Sequence, residues 1–141
     1  MKAIVTTTAK QKEQAFAIRH EVFVKEQNVP IEIELDDYDE KAIHFLCYND
    51  QNEPVGASRI RFVDSYGKLE RICVLKSFRG QSYGKQLVQK MEEEIIKNGF
   101  KLARLNAQMD VAEFYENLGY KVISEPFSEA NILHVTMEKS L

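Results

Sequence analysis

The chain has 141 residues, 44% of them hydrophobic, and this length and composition predict one globular domain, residues 1–141, with its own core. Nineteen basic and 22 acidic residues give a net charge of −3 with no long basic run, which argues against a nucleic-acid partner. No apolar run approaches the roughly 20 residues that cross a bilayer, and the amino terminus is too polar for a secretion signal, so we expect a cytoplasmic protein without a membrane partner.

Apolar alternation and helical spacing predict a mixed α/β arrangement in the first half of the chain. Residues 9–26 have helical spacing, and Phe16 and Phe23 lie seven residues apart on the inner face. The acidic stretch 32–40 is predicted to be a loop or a short second helix. Strands are predicted at 2–7, 42–48 and 54–63, the last two joined as a hairpin by the turn 49–53.

The second half continues the alternation of strands and helices. A long helix is predicted at 82–98, because Leu87, Val88, Met91 and Ile95 form an apolar stripe, and it stops at Asn98-Gly99. A shorter helix is predicted at 110–118, where Asp110 and Glu113 have the spacing of a capping box. Strands are predicted at 68–75, 102–107, 120–126 and 131–138.

Two cysteines lie inside strand-like apolar stretches. Cys47 and Cys73 are therefore predicted to be buried thiols rather than a disulfide or a metal site, and no metal is expected. An alternative left open is that Cys73 carries an acyl group as a nucleophile.

The segment between the strand at 68–75 and the helix at 82–98 has the features of an anion-binding loop. Backbone N–H groups converge at a helix start, and the helix dipole adds partial positive charge there. Gly80 and Gly84 let the backbone approach an anion closely, while Arg79 and Lys85 add full charge. An ordinary strand-to-helix turn would explain the glycines but not the two cations.

The loop sequence identifies the expected anion by resemblance. Arg79-Gly80-Gln81-Ser82-Tyr83-Gly84 resembles the pyrophosphate loop of the GNAT family of N-acetyltransferases, Arg/Gln-x-x-Gly-x-Gly/Ala, and not a nucleotide-hydrolysing P-loop or a dinucleotide fingerprint. Ser82 departs from the family pattern, which usually has glycine there, and its Cβ narrows the approach to the cofactor. The resemblance implies that residues 79–85 bind the pyrophosphate of acetyl-CoA.

A second block supports the same family. Phe114-Tyr115-Glu116-Asn117-Leu118-Gly119-Tyr120 looks like the family signature Phe-Tyr-x-x-x-Gly-Phe/Tyr. The resemblance implies that Tyr115 donates a proton to the departing CoA thiolate, although Phe114-Tyr115 would also serve as core packing on a short helix. Residues spread over most of the chain are similar to the small bacterial YjcF- and ElaA-like acetyltransferases.

The family resemblance implies a fold and a cofactor path. The expected fold is a mixed six- to seven-stranded central sheet flanked by helices, with the parallel strands at 68–75 and 102–107 splaying apart. The pantetheine arm would lie in this wedge and pair with backbone near Ile72, Cys73 and Val74. Gln108 stands where relatives carry an asparagine that contacts the same arm.

The expected reaction is transfer of acetyl from acetyl-CoA to a primary amine by direct attack on the thioester. Such an amine has a pKa of about 10.4, so it must lose a proton before it can attack. Glu70 is predicted as the base: strand alternation places it on one face with Ile72 and Val74, from which it would point into the wedge or to solvent depending on any bulge. Pairing of Glu70 with a neighbouring cation is the alternative. Glu26, Asp36, His44, His134 and water remain alternatives.

The acceptor is predicted to be small and to approach from the end of the first helix and the last strands. Phe23, Glu26 and Gln27 precede the break at Pro30, and His134 lies on a final strand that the family fold brings near the wedge. Core packing of Phe23 and solvation of Glu26 are the alternative interpretation. The acidic stretch 32–40 is interpreted as a solvated loop or as a rim that attracts a cationic amine.

Another class of function stays open. A non-catalytic acyl-CoA-binding or regulatory module on the same fold would also keep the loop, and Ser82 is the feature that favours it. We expect a monomer or a homodimer.

Overall fold

The computed structural model describes residues 2–141 and contains one open mixed sheet of eight strands. The strands are β1 (Lys2–Val5), β2 (Ile43–Tyr48), β3 (Pro54–Val63), β4 (Tyr66–Val74), β5 (Leu102–Gln108), β6 (Lys121–Val122), β7 (Phe127–Glu129) and β8 (Ile132–Ser140). The sheet order is β1-β2-β3-β4-β5-β8-β6, and β7 pairs with β8 beside β6.

Four α-helices accompany the sheet: α1 (Ala9–Arg19), α2 (Ile31–Glu34), α3 (Tyr83–Lys97) and α4 (Ala112–Glu116). The predicted helix at 9–26 is present, but its last part, His20–Glu26, is a π-helical segment. The acidic stretch forms α2 and a 3-10 turn, Asp37–Glu40. This agrees with the predicted short second helix rather than with the predicted loop. A capping box between Thr8 and Gln11 fixes the start of α1.

The expected parallel pair at the centre of the sheet is confirmed. β4 and β5 are parallel, while the other strand pairs of residues 2–141 are antiparallel. This is the mixed α/β class that the sequence predicted, with one short strand, β7, more than the seven strand ranges predicted above.

The additional strand, β7, is separate because the predicted strand at 120–126 is interrupted. Only Lys121–Val122 pair with β8, and the Ser124 hydroxyl then accepts a hydrogen bond from Thr136 N at 2.8 Å. Pro126 follows and has no N–H to donate to a ladder. The chain resumes pairing as the hairpin β7–β8, whose turn holds Ala130 and Asn131 at φ 51° and 63°.

The sheet separates two apolar clusters. On one face, α3 packs its stripe of Leu87, Val88, Met91 and Ile95 on the sheet, and all four are buried. On the other face, Ala15, Ile18 and Val22 of the first helical segment contact Leu46, Ala57 and Cys73. Gly67 is required where β4 passes α3, since a Cβ there would lie 2.5 Å from Ile95 Cγ1.

Candidate active site

The parallel strands β4 and β5 pair only at their beginnings. Residues 67–69 of β4 oppose residues 103–105 of β5, and no further pair between these strands occurs within residues 2–141. β4 continues along β3 as far as Val74, whereas β5 continues along β8 as far as Gln108. A wedge therefore opens between the two strands, and the β5 side of the β4 backbone is unpaired beyond Leu69.

A β-bulge lies at the point where the wedge opens. The register of β4 on β3 changes from Glu70–Arg59 to Cys73–Ala57, so β4 has one extra residue. Arg71 lies at this extra position, and its φ of 59° is in the left-handed region. Sequence patterns did not predict this conformation, since arginine rarely adopts it.

Because of the bulge, the Glu70 side chain lies on the opposite face of the sheet from Ile72 and Val74. Ile72 and Val74 pack on the α3 side of the sheet, whereas the Glu70 side chain bonds to arginines that reach the α2 side. The expectation that Glu70 shares a face with Ile72 and Val74 is therefore wrong, because the extra residue at Arg71 reverses the alternation.

Cys73 lines the wedge with its backbone while its side chain is buried in the α1 cluster. Burial raises the pKa of the Cys73 thiol to about 12, which disfavours the thiolate that a nucleophile requires. Cys47 is buried in the cluster on the α3 side, and both cysteines are free thiols as predicted.

The predicted pyrophosphate loop leads directly into α3. Gly80 has φ 81°, and Ser82, at the position preceding the helix, is left-handed with φ 69°. Gln81, Ser82 and Lys85 are exposed, so their polar groups are open to a ligand. The Tyr83 side chain is buried in the core, which leaves only its backbone N–H at the helix start.

Arg79 and Glu26, predicted in two different roles, form one ion pair. The Arg79 guanidinium donates to both Glu26 oxygens at 2.7 and 2.6 Å, and its Nε donates to Val74 O at 2.9 Å. These hydrogen bonds lower the pKa of the Glu26 carboxyl group below its usual value. The pair connects the end of the π-helical segment to the loop before α3.

Tyr115 lies on α4 with its ring in the core and 8% of its surface exposed. Its hydroxyl has no hydrogen-bond partner within residues 2–141, and its ring meets Phe114 and Tyr120 edge-on. Burial raises the pKa of Tyr115 above 10.0, with a smaller effect from nearby Cys73, so the phenol keeps its proton near neutral pH.

The helix that carries Tyr115 begins differently from the prediction. A 3-10 turn, Met109–Val111, precedes α4, and the residue before the helix is Val111 without a side-chain cap. The predicted capping box of Asp110 and Glu113 is therefore wrong. A real capping box of that spacing is present between Asp36 and Asp39.

Two of the predicted acceptor residues, Gln27 and His134, meet at the carboxyl end of β5. Gln108 Nε2 donates to Gln27 Oε1 at 2.8 Å, and Gln108 is the strand partner of His134 on β8. His134 is buried, and its Nδ1 lies 2.6 Å from Ile132 O. Phe23 is half-buried against the α1 cluster, as in the core-packing alternative.

The other side of the imidazole faces a short polar rim. Nε2 of His134 lies 3.6 Å from a Glu129 carboxylate oxygen, and the ring stacks on Phe127 with centroids 6.0 Å apart. Because Nδ1 is directed at a carbonyl oxygen, it donates, so Nε2 of the neutral ring is an acceptor for a ligand and donates to the Glu129 carboxylate only when the ring is protonated.

Glu70 is surrounded by cations. Its oxygens accept from Arg59 at 3.0 Å and from Arg61 at 2.7 Å, and Lys68 Nζ lies 3.2 Å away. Burial opposes ionisation, but the hydrogen bond from Arg61 and the charges of Arg59 and Lys68 outweigh it and lower the pKa of Glu70 to about 2. This environment makes Glu70 a weak proton acceptor.

Two alternative bases are also held in structural contacts. Asp36 accepts from Arg59 Nη1 and Nη2 at 2.7 and 2.9 Å. His44 is buried beside Phe16, and its Nε2 lies 2.7 Å from Asp39 O. Burial lowers the pKa of His44, which keeps the ring neutral.

Sequence patterns missed the buried charge network on this face of the sheet. Arg19 and Arg59 are 0% and 1% exposed, and both bond to Asp39. Glu34, Asp36 and Asp39 all belong to the stretch expected to be a solvated loop or a rim. A signal was available, since arginines inside apolar helix and strand runs need carboxylate partners when buried.

Comparisons with known proteins agree with this geometry. The acetyltransferase (GNAT) domain family matches residues 6–141. The chain belongs to the GNAT family of acetyltransferases. The uncharacterized N-acetyltransferase YjcF of Bacillus subtilis is 45% identical over 140 residues, which cover 99% of both chains. ElaA of Escherichia coli is 31% identical, over 88% of this chain and 84% of its own.

A solved structure supports the family at the level of the fold. A crystal structure from Lactobacillus plantarum, described as that of a "putative N-acetyltransferase", superposes with a TM-score of 0.92 at 28% identity, over 99% of this chain and 97% of that one. The predicted resemblance to YjcF- and ElaA-like proteins is thus confirmed, and the protein is an acetyltransferase of a fold that uses acetyl-CoA.

Two further properties concern the same described residues. Within residues 2–141, no three His, Cys, Asp or Glu side chains are grouped so that they could hold a metal ion. None of the helices there combines the length and apolar character needed to cross a membrane.

Proposed function

We propose that this acetyltransferase transfers the acetyl group of acetyl-CoA to the primary amine of a small acceptor. The observation that carries the proposal is the wedge: an edge of β4 at residues 70–74 that has no strand partner on the β5 side, where Arg79 Nε bonds to Val74 O, and that leads into a loop at the start of α3. An extended pantetheine arm needs backbone partners, and a pyrophosphate needs convergent N–H groups at a helix start. The β4 edge is followed along the chain by the start of α3, and this order supports an arm in the wedge and a pyrophosphate at the helix start.

The donor is proposed to occupy the wedge with its phosphates at the loop. The backbone of Ile72, Cys73 and Val74 would pair with the pantetheine arm, and Gln108 would contact it from β5. Pyrophosphate would lie on the backbone of residues 80–84, beside the cations of Arg79 and Lys85. Serine at position 82 already adopts the left-handed conformation that glycine would adopt more easily.

The chemistry follows from the groups at the wedge. A neutral amine nitrogen attacks the thioester carbonyl, the C–S bond breaks, and the CoA thiolate takes a proton. Tyr115 is proposed as the donor of that proton, because its hydroxyl is protonated near neutral pH and lacks a protein partner. The proton released by the amine passes to water or to a group of the acceptor site, and Glu70 is not proposed for this step.

The acceptor is proposed to bind where the π-helical segment meets the end of β5 and β8. This region offers the aromatic Phe23, the amide of Gln27, the imidazole of His134 and the carboxylate of Glu129, which favours an ammonium group. Replacing His134 by alanine should raise the acceptor KM while the affinity for CoA stays unchanged. An unaltered acceptor KM would move the acceptor site elsewhere.

The function is tested by measuring thiol release from acetyl-CoA in the presence of a pooled library of small primary amines. Turnover above the amine-free rate supports the transferase. Thermal stabilisation by CoA without turnover for any amine would instead support the acyl-CoA-binding module. The Tyr115→Phe variant serves as the matched control for enzyme-dependent release.

A further inference from the structure

Arg71 has a backbone conformation that the sequence does not explain. It is an arginine in a strand with φ 59°, located where β4 leaves β5. Left-handed conformations are unfavourable for residues with a Cβ and persist when their surroundings hold them. Some contact of Arg71 must therefore stabilise the bulge.

The guanidinium group of Arg71 supplies that contact. Nε donates to Glu34 Oε2 at 2.9 Å, while Nη2 donates to Ile33 O at 3.1 Å and to Glu34 O at 3.2 Å. Nη2 also reaches Asp36 Oδ2 at 3.3 Å. The two carbonyls lie at the end of α2, where a helix has no further N–H groups to bond them.

The partners of Arg71 are themselves fixed. Glu34 is 2% exposed, and its Oε2 also accepts from Arg19 Nε and Nη2 at 3.1 and 3.0 Å. Arg19, at the end of α1, is fully buried. A continuous chain of charge-assisted hydrogen bonds thus joins α1 to the bulge through the single carboxylate of Glu34.

We propose that Arg71 is a positioning residue for the acetyl-CoA site. Its guanidinium, held by the carboxyl end of α2, keeps the extra residue in β4 and so directs the backbone of residues 72–74 into the wedge. The acidic segment after Pro30 is then an anchor for the cofactor strand. This inference rests on the proposed function, because it assumes that the wedge binds the pantetheine arm.

Arg71→Gly separates the contribution of the left-handed backbone conformation from that of the guanidinium group. Glycine adopts φ 59° without strain, so the variant keeps access to the bulge but loses the guanidinium. Arg71→Lys retains the charge but not the fork that reaches carboxylate and carbonyls together. Arg104→Gln is the matched control, since Arg104 lies on the opposite strand of the wedge and bonds to Glu138.

The binding assay compares acetyl-CoA with adenosine 3′-phosphate 5′-diphosphate, the nucleotide half that lacks the pantetheine arm. We expect Arg71→Gly to weaken acetyl-CoA binding at least tenfold and to change the affinity for the nucleotide half less than twofold. Arg71→Lys should restore part of the loss, and Arg104→Gln should change neither affinity. A general loss of stability would not separate the two ligands.

Amide hydrogen exchange of the ligand-free protein gives a second measurement. Exchange at residues 72–74 should become at least tenfold faster in Arg71→Gly and Glu34→Gln than in the Arg104→Gln control. Wild-type exchange together with a wild-type ratio of the two affinities in folded Arg71→Gly would overturn the inference. If the wild-type protein binds neither ligand, the proposed function fails, and the exchange rates still decide whether Arg71 holds the bulge.

Discussion

At the scale of single residues, Tyr115 is an aromatic core residue for which a chemical role is proposed. Most of its ring is buried against Phe114 and Tyr120, which fixes its position without any bond to the hydroxyl. Tyr120, by contrast, donates its hydroxyl hydrogen to Glu92 at 2.8 Å. The two neighbouring tyrosines therefore differ mainly in whether the hydroxyl has a protein partner.

This difference gives a direct test of the proton donor. Tyr115→Phe should lower kcat by about 10²- to 10⁴-fold, the usual contribution of a general acid, with little change in acetyl-CoA affinity. Steady-state kinetics with an amine found in the library screen and calorimetric titration of CoA measure the two quantities. Tyr120→Phe is the control and should keep kcat while losing stability. An unchanged kcat in Tyr115→Phe would reject the assignment.

Gly84 lies between Phe114 and the proposed position of the pyrophosphate. A Cβ at this position would lie 3.3 Å from Phe114 Cζ, and the residue also belongs to the first turn of α3, where pyrophosphate is proposed to bind. Gly84→Asp should weaken CoA binding at least tenfold, about 1.4 kcal/mol, by adding bulk and negative charge. Gly84→Ala adds the contact with Phe114 alone and should weaken binding less. Calorimetric titration of both variants checks this order, and equal affinities in Gly84→Asp and the wild type would refute the loop placement.

At the scale of elements, the π-helical segment His20–Glu26 connects the two halves of the proposed donor site. Glu26 bonds to Arg79 at the loop before α3, and the next residue, Gln27, bonds to Gln108 at the end of β5. One helix end thus contacts both sides of the proposed path of CoA. A ligand on that path would lie beside Glu26 and Gln27, which were predicted to bind the acceptor, with Glu26 also an alternative base.

Glu26 and a bound pyrophosphate would compete for the same guanidinium. Glu26→Gln should therefore strengthen CoA binding by up to about fivefold, since an exposed ion pair contributes about 0–1 kcal/mol. The gain should shrink as salt rises from 50 to 300 mM, because salt screens exposed charges. Glu21→Gln removes the same charge from the same segment, where Glu21 pairs with Lys25, and should have no effect. Weaker CoA binding in Glu26→Gln would instead assign Glu26 to holding Arg79 in place.

At the scale of the whole molecule, stability depends on charges buried beside the apolar core. Arg19, Arg59 and their carboxylate partners connect α1, the acidic segment and the strands β3 and β4. Buried ion pairs contribute little net stability when complete but destabilise strongly when one partner is lost. Protonating a single carboxylate would have that effect on this network.

Acid should therefore unfold the protein over a defined range. Charge pairing lowers the pKa of Glu70 from 4.5, and that of Asp39 from 3.8, to about 2 in each case. Groups with a depressed folded-state pKa stabilise the fold fully above their unfolded pKa, and that contribution is lost as pH falls from about 4.5 to about 2. For Glu70 it is on the order of 3 kcal/mol, at about 1.4 kcal/mol per pH unit.

Denaturant unfolding between pH 7 and pH 2 measures this dependence. Glu70→Gln should be less stable than the wild type at pH 7, because Arg59 and Arg61 lose their shared partner, and its stability should fall less steeply below pH 4.5. Equal slopes for the two proteins would show that Glu70 does not carry the acid sensitivity.

The sequence allowed accurate prediction where a local pattern has one physical meaning. The apolar stripe of α3, the turn at 49–53 and the loop at 79–85 are set by residues close together in the chain. The capping box assigned to Asp110 and Glu113 failed because Met109–Val111 closes a 3-10 turn before α4 can begin. The strand predicted at 120–126 is present only as Lys121–Val122, because the Ser124 hydroxyl takes the N–H of Thr136 and Pro126 has no N–H to donate.

The sequence alone determined the helices and most strands through their periodicity, and the family and the loop before α3 through two short motifs. The parallel pair was expected because the family resemblance implied it. Only the tertiary structure decided which way Glu70 faces, that Arg79 bonds to Glu26, and that the acidic stretch neutralises buried arginines. Such features depend on side chains distant in the chain and on one left-handed arginine in a strand. Neither an ion pair between distant residues nor an extra residue in a strand produces a periodic pattern in the sequence.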